Sequence, residues 1–396
     1  MGRRADVTFA QTAGVLQFNG AGTDYLIQTP TGVLYFVYVD TGSDVAFKKS
    51  TDGGLSWSAP TIVFAGTVTN LSVWYDRWSD IAAGLIHCAY TESAADDTLY
   101  RTINTESSDA LSTQTTIFAG ASTAAGGHLS ITRAKGGNVY CKTVIDAGAE
   151  GGFYRLPNAN VPSGAWDAAR TVDETIANGD MMILLPDLTA ADTQDIIGIF
   201  WDASANEISR KLYDDSGNSW SETSISTGMT EQAAATAFPH FDAAVDLTND
   251  RIILVAWSAI DTANADLRCW IITNSSITEV TEVVLNSTDD QGLASVSIDA
   301  VTGDWTVFYA GASDGSETFL TSVNIYCKGS RDDGTTWGPE TKVTTMAADI
   351  TYLVSCPWMY VGGENPPVGY HTDIALDGLI INVDRTVPVA QLALGV

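Results

Sequence analysis

The chain has 396 residues, with 48 Asp and Glu against 19 Lys and Arg and a formal net charge of −29. That excess repels nucleic-acid phosphates and anionic membrane surfaces, so neither is expected as a partner. Hydrophobic residues make up 45% and charged residues 17%, which excludes an acidic disordered tail or a coiled coil, and no apolar run approaches the ~18–20 residues of a membrane-spanning helix. Arg3 and Arg4 near the start are followed by no apolar stretch, so cytoplasmic synthesis without a signal peptide is expected. Cys88, Cys141, Cys269, Cys327 and Cys356 are scattered, odd in number and set in apolar runs, and read as small buried hydrophobes rather than disulfides.

In chain order, the first strand-like run is Val7 to Ala10. A first unit follows, with strands at 25–28, 34–40, 45–49 and 61–64 and a turn from Ser50 to Trp57. A second has strands at 71–75, 85–90, 98–102 and 115–118. The third has 128–132, 139–144, 152–156 and 169–172, its turn reduced to Gly164 and Trp166. The fourth has 181–185, 196–201 and 207–212, then a turn from Tyr213 to Trp220. The fifth has 240–245, 252–257, 266–272 and 279–285. The sixth has 294–298, 305–309, 323–328 and 341–344, with a turn from Ser330 to Trp337. The last, with 352–356, 368–371 and 379–383, lacks an outer strand, which Val7 to Ala10 is placed to supply.

The three full turns share Asp, Gly two residues later and Trp three beyond that: Asp52, Gly54 and Trp57; Asp215, Gly217 and Trp220; Asp332, Gly334 and Trp337. Their spacing fits a unit of about 55 residues, within the range of propeller repeats. Asp closes such a turn on backbone N–H groups, Gly supplies positive φ, and Trp offers an apolar plate between sheets. These observations predict an all-β, seven-bladed β-propeller of four-stranded antiparallel blades, closed by the N-terminal strand completing the last blade. Residues 1–396 form one domain in this reading: 1–20 the closing strand and lead-in, 21–385 the blades, and 386–396 an apolar tail.

The pattern Ser-x-Asp-x-Gly-x-x-Trp resembles the Asp-box of sialidase-like (BNR-repeat) propellers, with Tyr213 replacing Ser in the middle copy. The resemblance implies Asp-boxes between third and fourth strands, on the face opposite the usual ligand site. It also implies, for catalytic sialidases, a six-bladed design with three clamping arginines, a Tyr–Glu pair and an acid/base Asp. The nearest match to the family's Phe-Arg-Ile-Pro motif is Tyr154-Arg155-Leu156-Pro157, on a third strand and after the first turn, so it does not fit that role. Arg77 and Arg133 are placed to approach the axis, but no third arginine joins them, and the member is read as non-catalytic.

The densest aromatic and charged cluster is Trp74, Tyr75, Asp76, Arg77, Trp78 and Asp80. Aromatic faces beside carboxylates suit sugars, so Trp74, Tyr75, Asp76, Arg77, Trp78 and Arg133 are the ligand-binding candidates. Asp76 and Asp80 are the catalytic pair if the chain is an enzyme. The competing reading is an ordinary turn with a buried Trp74 and a paired Arg77. Acidic loops between second and third strands form a ring, including Asp40, Asp44, Glu92, Asp96, Asp97, Asp202, Glu207, Asp314 and Glu317. A divalent cation such as calcium suits clustered carboxylates, but no ligand spacing marks a site, and a solvated rim with no metal or cofactor is the preferred reading. The function expected is a non-enzymatic recognition or structural module, part of a larger assembly of protein chains such as a bacteriophage tail, collar or capsid decoration. That assembly would be exposed outside the cell and would bind surface glycans. The alternative is a glycoside hydrolase or lyase acting on a polysaccharide.

Overall fold

The computed structural model describes residues 4–11, 25–77, 84–120, 128–143, 152–172, 180–202, 204–227, 229, 241–258, 266–285, 291–317, 319, 324–344, 350–361, 366–372 and 378–384. Regular structure is almost wholly β-strand. Burial falls from the centre outward, and the sequence follows it. Leu34–Val39 is apolar and buried at every position because sheets cover both of its faces, whereas the outermost Ser219–Thr227 is polar and largely exposed.

The first sheet contains Leu26–Gln28, Leu34–Val39, Val45–Ser50 and Thr61–Phe64. The second contains Val68–Tyr75, Leu85–Glu92, Thr98–Asn104 and Thr115–Phe118, and the third Leu129–Arg133, Val139–Thr143 and Phe153–Leu156. The fourth contains Met181–Pro186, Ile196–Asp202, Glu207–Asp214 and Ser219–Thr227. The fifth contains Phe241–Asp246, Arg251–Ser258, Asp266–Ile272 and Ile277–Glu279. The sixth contains Gly292–Asp299, Trp305–Ala310, Ile325–Ser330 and Thr341–Lys342, and the seventh Ile350–Ser355, Val368–Thr372, Gly378–Asp384 and Arg4–Gln11. The protein is a β-propeller of four-stranded antiparallel blades.

The expectation of seven such blades is corrected. Six sheets have four or more strands, and the third has only three among the described residues. Its expected outer strand at 169–172 runs beside Phe153–Leu156 but bonds to it only through Asp167 N–H to Arg155 O and Arg170 N–H to Phe153 O. Three residues there oppose two, a bulge that breaks the ladder. The N-terminal strand does complete the last sheet, with Val7 opposite Ile381 and Thr8 opposite Ile380.

Neighbouring sheets meet through their first, innermost strands. At five junctions a backbone N–H of one inner strand donates to a side chain on the inner strand before it. Ile131 donates to Ser72 (3.1 Å), Leu184 to Ser130 (2.9 Å), Val296 to Asp242 (2.9 Å), Cys356 to Ser295 (3.1 Å) and Leu26 to Ser355 (3.3 Å). Apart from Gly292–Asp299, whose end also pairs with Met359–Tyr360, the inner strands have one edge with no neighbour in their own sheet, so these bonds satisfy buried N–H groups and join the sheets in sequence.

The turns at Asp52 and Asp332 share one bonding pattern. Asp52 accepts the Ser56 N–H and hydroxyl while Ser50 Oγ accepts the Gly54 N–H; Asp332 and Ser330 do the same with Thr336 and Gly334. Gly54 (φ 95°) and Gly334 (φ 74°) are left-handed, as this turn requires. The segment at Asp215 is different, and its assignment as an equivalent turn is corrected. The ladder there continues to Asp214 opposite Ser219, so Asp214 accepts the Gly217 N–H and Asn218, not Gly217, is left-handed (φ 47°). Asp215 instead accepts from Arg155 and Arg170 of the third sheet's side.

The tryptophans pack as plates between sheets. Trp337 Nε1 donates to Thr281 O (2.8 Å), Trp220 to Thr171 O (3.0 Å) and Trp166 to Thr115 Oγ1 (3.2 Å), each reaching the outer part of the preceding sheet. Trp57 donates to Gly54 O in its own turn. All five cysteines are buried, and none is joined in a disulfide. The apolar tail at 386–396 lies outside the described residues.

Candidate functional site

Strands within each blade alternate in direction, so turns joining first to second and third to fourth strands share one face, here the lower. Turns joining second to third strands, and links from one blade to the next, lie on the upper face. The Asp52 and Asp332 turns are therefore on the lower face, and so is the cluster that follows Val68–Tyr75.

On that face the structure gives Asp76 a structural partner. Asp76 is buried, and its carboxylate takes an Arg133 Nη1 donor at 2.5 Å with neither side chain exposed. Arg133 also donates to Gly137 O and Asn158 Oδ1. A carboxylate sealed in this way ties the second sheet to the third and has no route to a substrate. Trp78 and Asp80 lie outside the described residues. Tyr75 is buried, with its hydroxyl pushed up by burial first.

Trp74 and Arg77 belong to a plug. After its inner strand, the seventh sheet sends Cys356–Val361 along the inner edge of the sixth, where Met359–Tyr360 pairs in parallel with Ile298 and Asp299. Trp358 lies flat on Trp74, with ring centroids 5.5 Å apart and an interplanar angle of 8°. Arg77 sits over Tyr75 and Trp358 and donates to Gln28 O and Met359 O, while Val361 N–H donates to Gln28 Oε1. Sheets one, two, six and seven thus meet across the lower end of the central channel.

Arg155 is fixed elsewhere, by Asp167 and Asp215 between the third and fourth sheets, so it belongs to no arginine clamp. His87 is also removed from any site. Its ring is buried at 2.7 Å from the Tyr100 hydroxyl, and burial, then Arg133, holds it neutral well below the usual imidazole range.

The upper rim carboxylates are largely committed to loop N–H groups. Asp40 accepts from Gly42 and Asp44, Asp44 from Gly66, Glu92 from Ala94 and Ala95, Asp97 from Gly120, Asp202 from Ala205 and Asp314 from Ser316. Bonds from Ser316 hold the Asp314 carboxyl below its usual range. Among the described residues, no group of three or more His, Cys, Asp or Glu side chains is arranged to hold a metal ion.

A different set of residues occupies the upper end. The position just before each inner strand is the first at the channel mouth, and there the chain places His128 in the third sheet, Asp180 in the fourth and Gln291 in the sixth, all buried. Lys142, opposite Ser130 and buried, adds a cation toward that end of the third sheet. These polar residues are buried at the upper ends of their sheets, and Gln291 Nε2 donates to Ala312 O (3.2 Å). In the third, fourth and sixth sheets the residue preceding the first strand is polar, a pattern visible once repeats are aligned on that strand.

No protein-family model matches the chain, and no curated protein matches its sequence. Solved structures do match its fold. An ulvan lyase from a polysaccharide lyase family named PL25 superposes with a TM-score of 0.54 at 10% identity, covering 96% of both chains. Its complex with -[GlcA(1-4)Rha3S]- gives 0.54 at 9%, again with 96% of each chain covered. The NanB sialidase of Streptococcus pneumoniae gives 0.46 at 12% identity, with 96% of this chain and 70% of that one covered. These neighbours are propellers, and the likeness is one of fold.

Proposed function

We propose that the protein binds and cleaves a polysaccharide at the upper mouth of its channel. The observation that supports this reading is that His128, Asp180 and Gln291 each precede a first strand, at the end of the sheets opposite the Trp74–Trp358 stack. Full-length likeness to an ulvan lyase supports the substrate class. Lyase chemistry is favoured over hydrolysis. A glycosidase needs two carboxyl groups flanking one bond, and Asp180 is the one carboxylate among the described first-strand starts. A lyase needs a base for the proton beside a uronate carboxyl, and a cation or hydrogen-bond donor on that carboxyl. His128 is assigned the first role, and Gln291 and Lys142 the second.

The test is incubation with uronate-containing and neutral polysaccharides, following both reducing ends and the ultraviolet absorbance of unsaturated products. Unsaturated products from the wild type, lost in His128→Ala with the melting temperature retained, are the expected outcome. Reducing ends without unsaturation would move the assignment to a hydrolase. Binding without cleavage would return it to a non-enzymatic recognition module of a larger assembly.

A further inference from the structure

The inner-strand junctions carry one irregularity. Four of the five side chains that accept a neighbour's N–H are serines, Ser72, Ser130, Ser295 and Ser355; the fifth is Asp242. Asp242 lies on the inner strand of the fifth sheet and is buried, accepting the Val296 N–H of the sixth at 2.9 Å. The groups facing it are that N–H, the Ser295 hydroxyl and the Ala243 N–H of its own strand, with no charged side chain among them. A serine in this place satisfies the N–H without charge. A carboxylate satisfies it only by keeping an ion in the interior, which is costly without a counter-ion.

We propose that the junction between the fifth and sixth sheets is a pH-sensitive joint, tight when Asp242 is protonated and loosened when it ionises. Burial, only partly offset by the bonds from Val296, Ser295 and Ala243, raises its carboxyl to about 6 from an ordinary value of 3.8. The sign follows from linkage: a folded-state value above the unfolded one means that stability is fully present below the unfolded value and is lost as pH rises toward 6. The gap corresponds to about a hundredfold change in the ratio of folded to unfolded chain. The joint therefore weakens near neutrality and strengthens in acid, opposite to the behaviour of a salt-bridged carboxylate.

The experiment compares wild type with Asp242→Asn and Asp242→Ser by denaturant unfolding from pH 4 to pH 7, reading differences so that other titrating groups cancel. Both variants retain an oxygen acceptor for Val296. They are expected to exceed the wild type at pH 7 by up to about a hundredfold in folding equilibrium, the advantage vanishing toward pH 4. A pH-independent difference, or variants weaker than wild type at pH 7, would overturn the proposal. If both variants fail to fold, titration of the Asp242 carboxyl by carbon NMR in the wild type decides instead: a midpoint near 4 rejects it, and one near 6 supports it. None of these readouts involves polysaccharide.

Discussion

Trp358 stacks on Trp74 although the two arrive from sheets that are not neighbours in the ring, Trp74 from the second and Trp358 from the segment leaving the seventh. The contact is a strut across the channel. Both rings are nearly fully buried, so truncation of either leaves a large void. Trp358→Ala is expected to cost about 3–5 kcal/mol by cavity formation. Denaturant unfolding measures it, and a loss below about 1 kcal/mol would mean that the plug carries little of the ring's stability.

Asp76 and Arg133 give a second prediction, which separates architecture from catalysis. Removing one partner of a fully buried pair strands the other charge, at a cost of about 3–5 kcal/mol. Asp76→Ala should therefore unfold at much lower denaturant, and Asp76→Ala with Arg133→Met should recover a good part of the loss. A stable Asp76→Ala with abolished polysaccharide cleavage would restore Asp76 to the active site and contradict its burial.

Strand order was legible because each unit repeats its apolar runs and several units mark the third-to-fourth connection with a turn of definite chemistry, and the closing partnership of Val7 with the last sheet followed from a missing outer strand. Legibility failed where one residue of register mattered. Tyr213 extends the ladder to Asp214, which shifts the turn away from Asp215, and a bulge at 167–170 interrupts the third sheet's outer strand. Neither signal is local, since both depend on which backbone groups the neighbouring strand presents. The face of the Asp76 cluster was hidden for a topological reason: residue density drew attention to Asp76, and only alternation of strand direction puts that cluster on the same face as the Asp52 turn.

Ser130 tests the inner-strand ring at a junction whose acceptor is a neutral hydroxyl. Its hydroxyl accepts the Leu184 N–H in a buried setting, so Ser130→Ala leaves that donor unsatisfied. A cost of about 1–3 kcal/mol is expected. Hydrogen exchange should show the Leu184 amide losing protection before its neighbours, and unchanged protection would mean that the junction holds by packing alone.

Asp332 gives a pH prediction of opposite sign to that for Asp242. The Thr336 hydroxyl and N–H bond its carboxylate and hold it below the ordinary carboxyl range. A depressed folded-state value contributes stability that is present above the unfolded value and is lost as pH falls through the folded one. Asp332→Asn should therefore lower the melting temperature at neutral pH, and the gap to wild type should close only below about pH 4, where the free carboxyl itself protonates. Thermal melts of the two proteins from pH 7 to pH 3 check this. A gap that persists unchanged in acid would show that Asp332 acts through shape rather than charge.

Closure of the ring yields the last prediction. Arg4–Gln11 is the outer strand of the seventh sheet and pairs with Gly378–Asp384 along its length. Deleting residues 1–11 removes no part of the channel, but it uncovers a row of backbone donors and acceptors on Gly378–Asp384. Such an edge templates pairing with another chain. The truncated protein is expected to retain most of its β-sheet signal by circular dichroism while associating in a concentration-dependent way during size-exclusion chromatography. A peptide of residues 1–11 added in trans should suppress that association by refilling the edge. A truncated protein that stays monomeric and as stable as the full chain would mean that the seventh sheet is complete without its N-terminal strand.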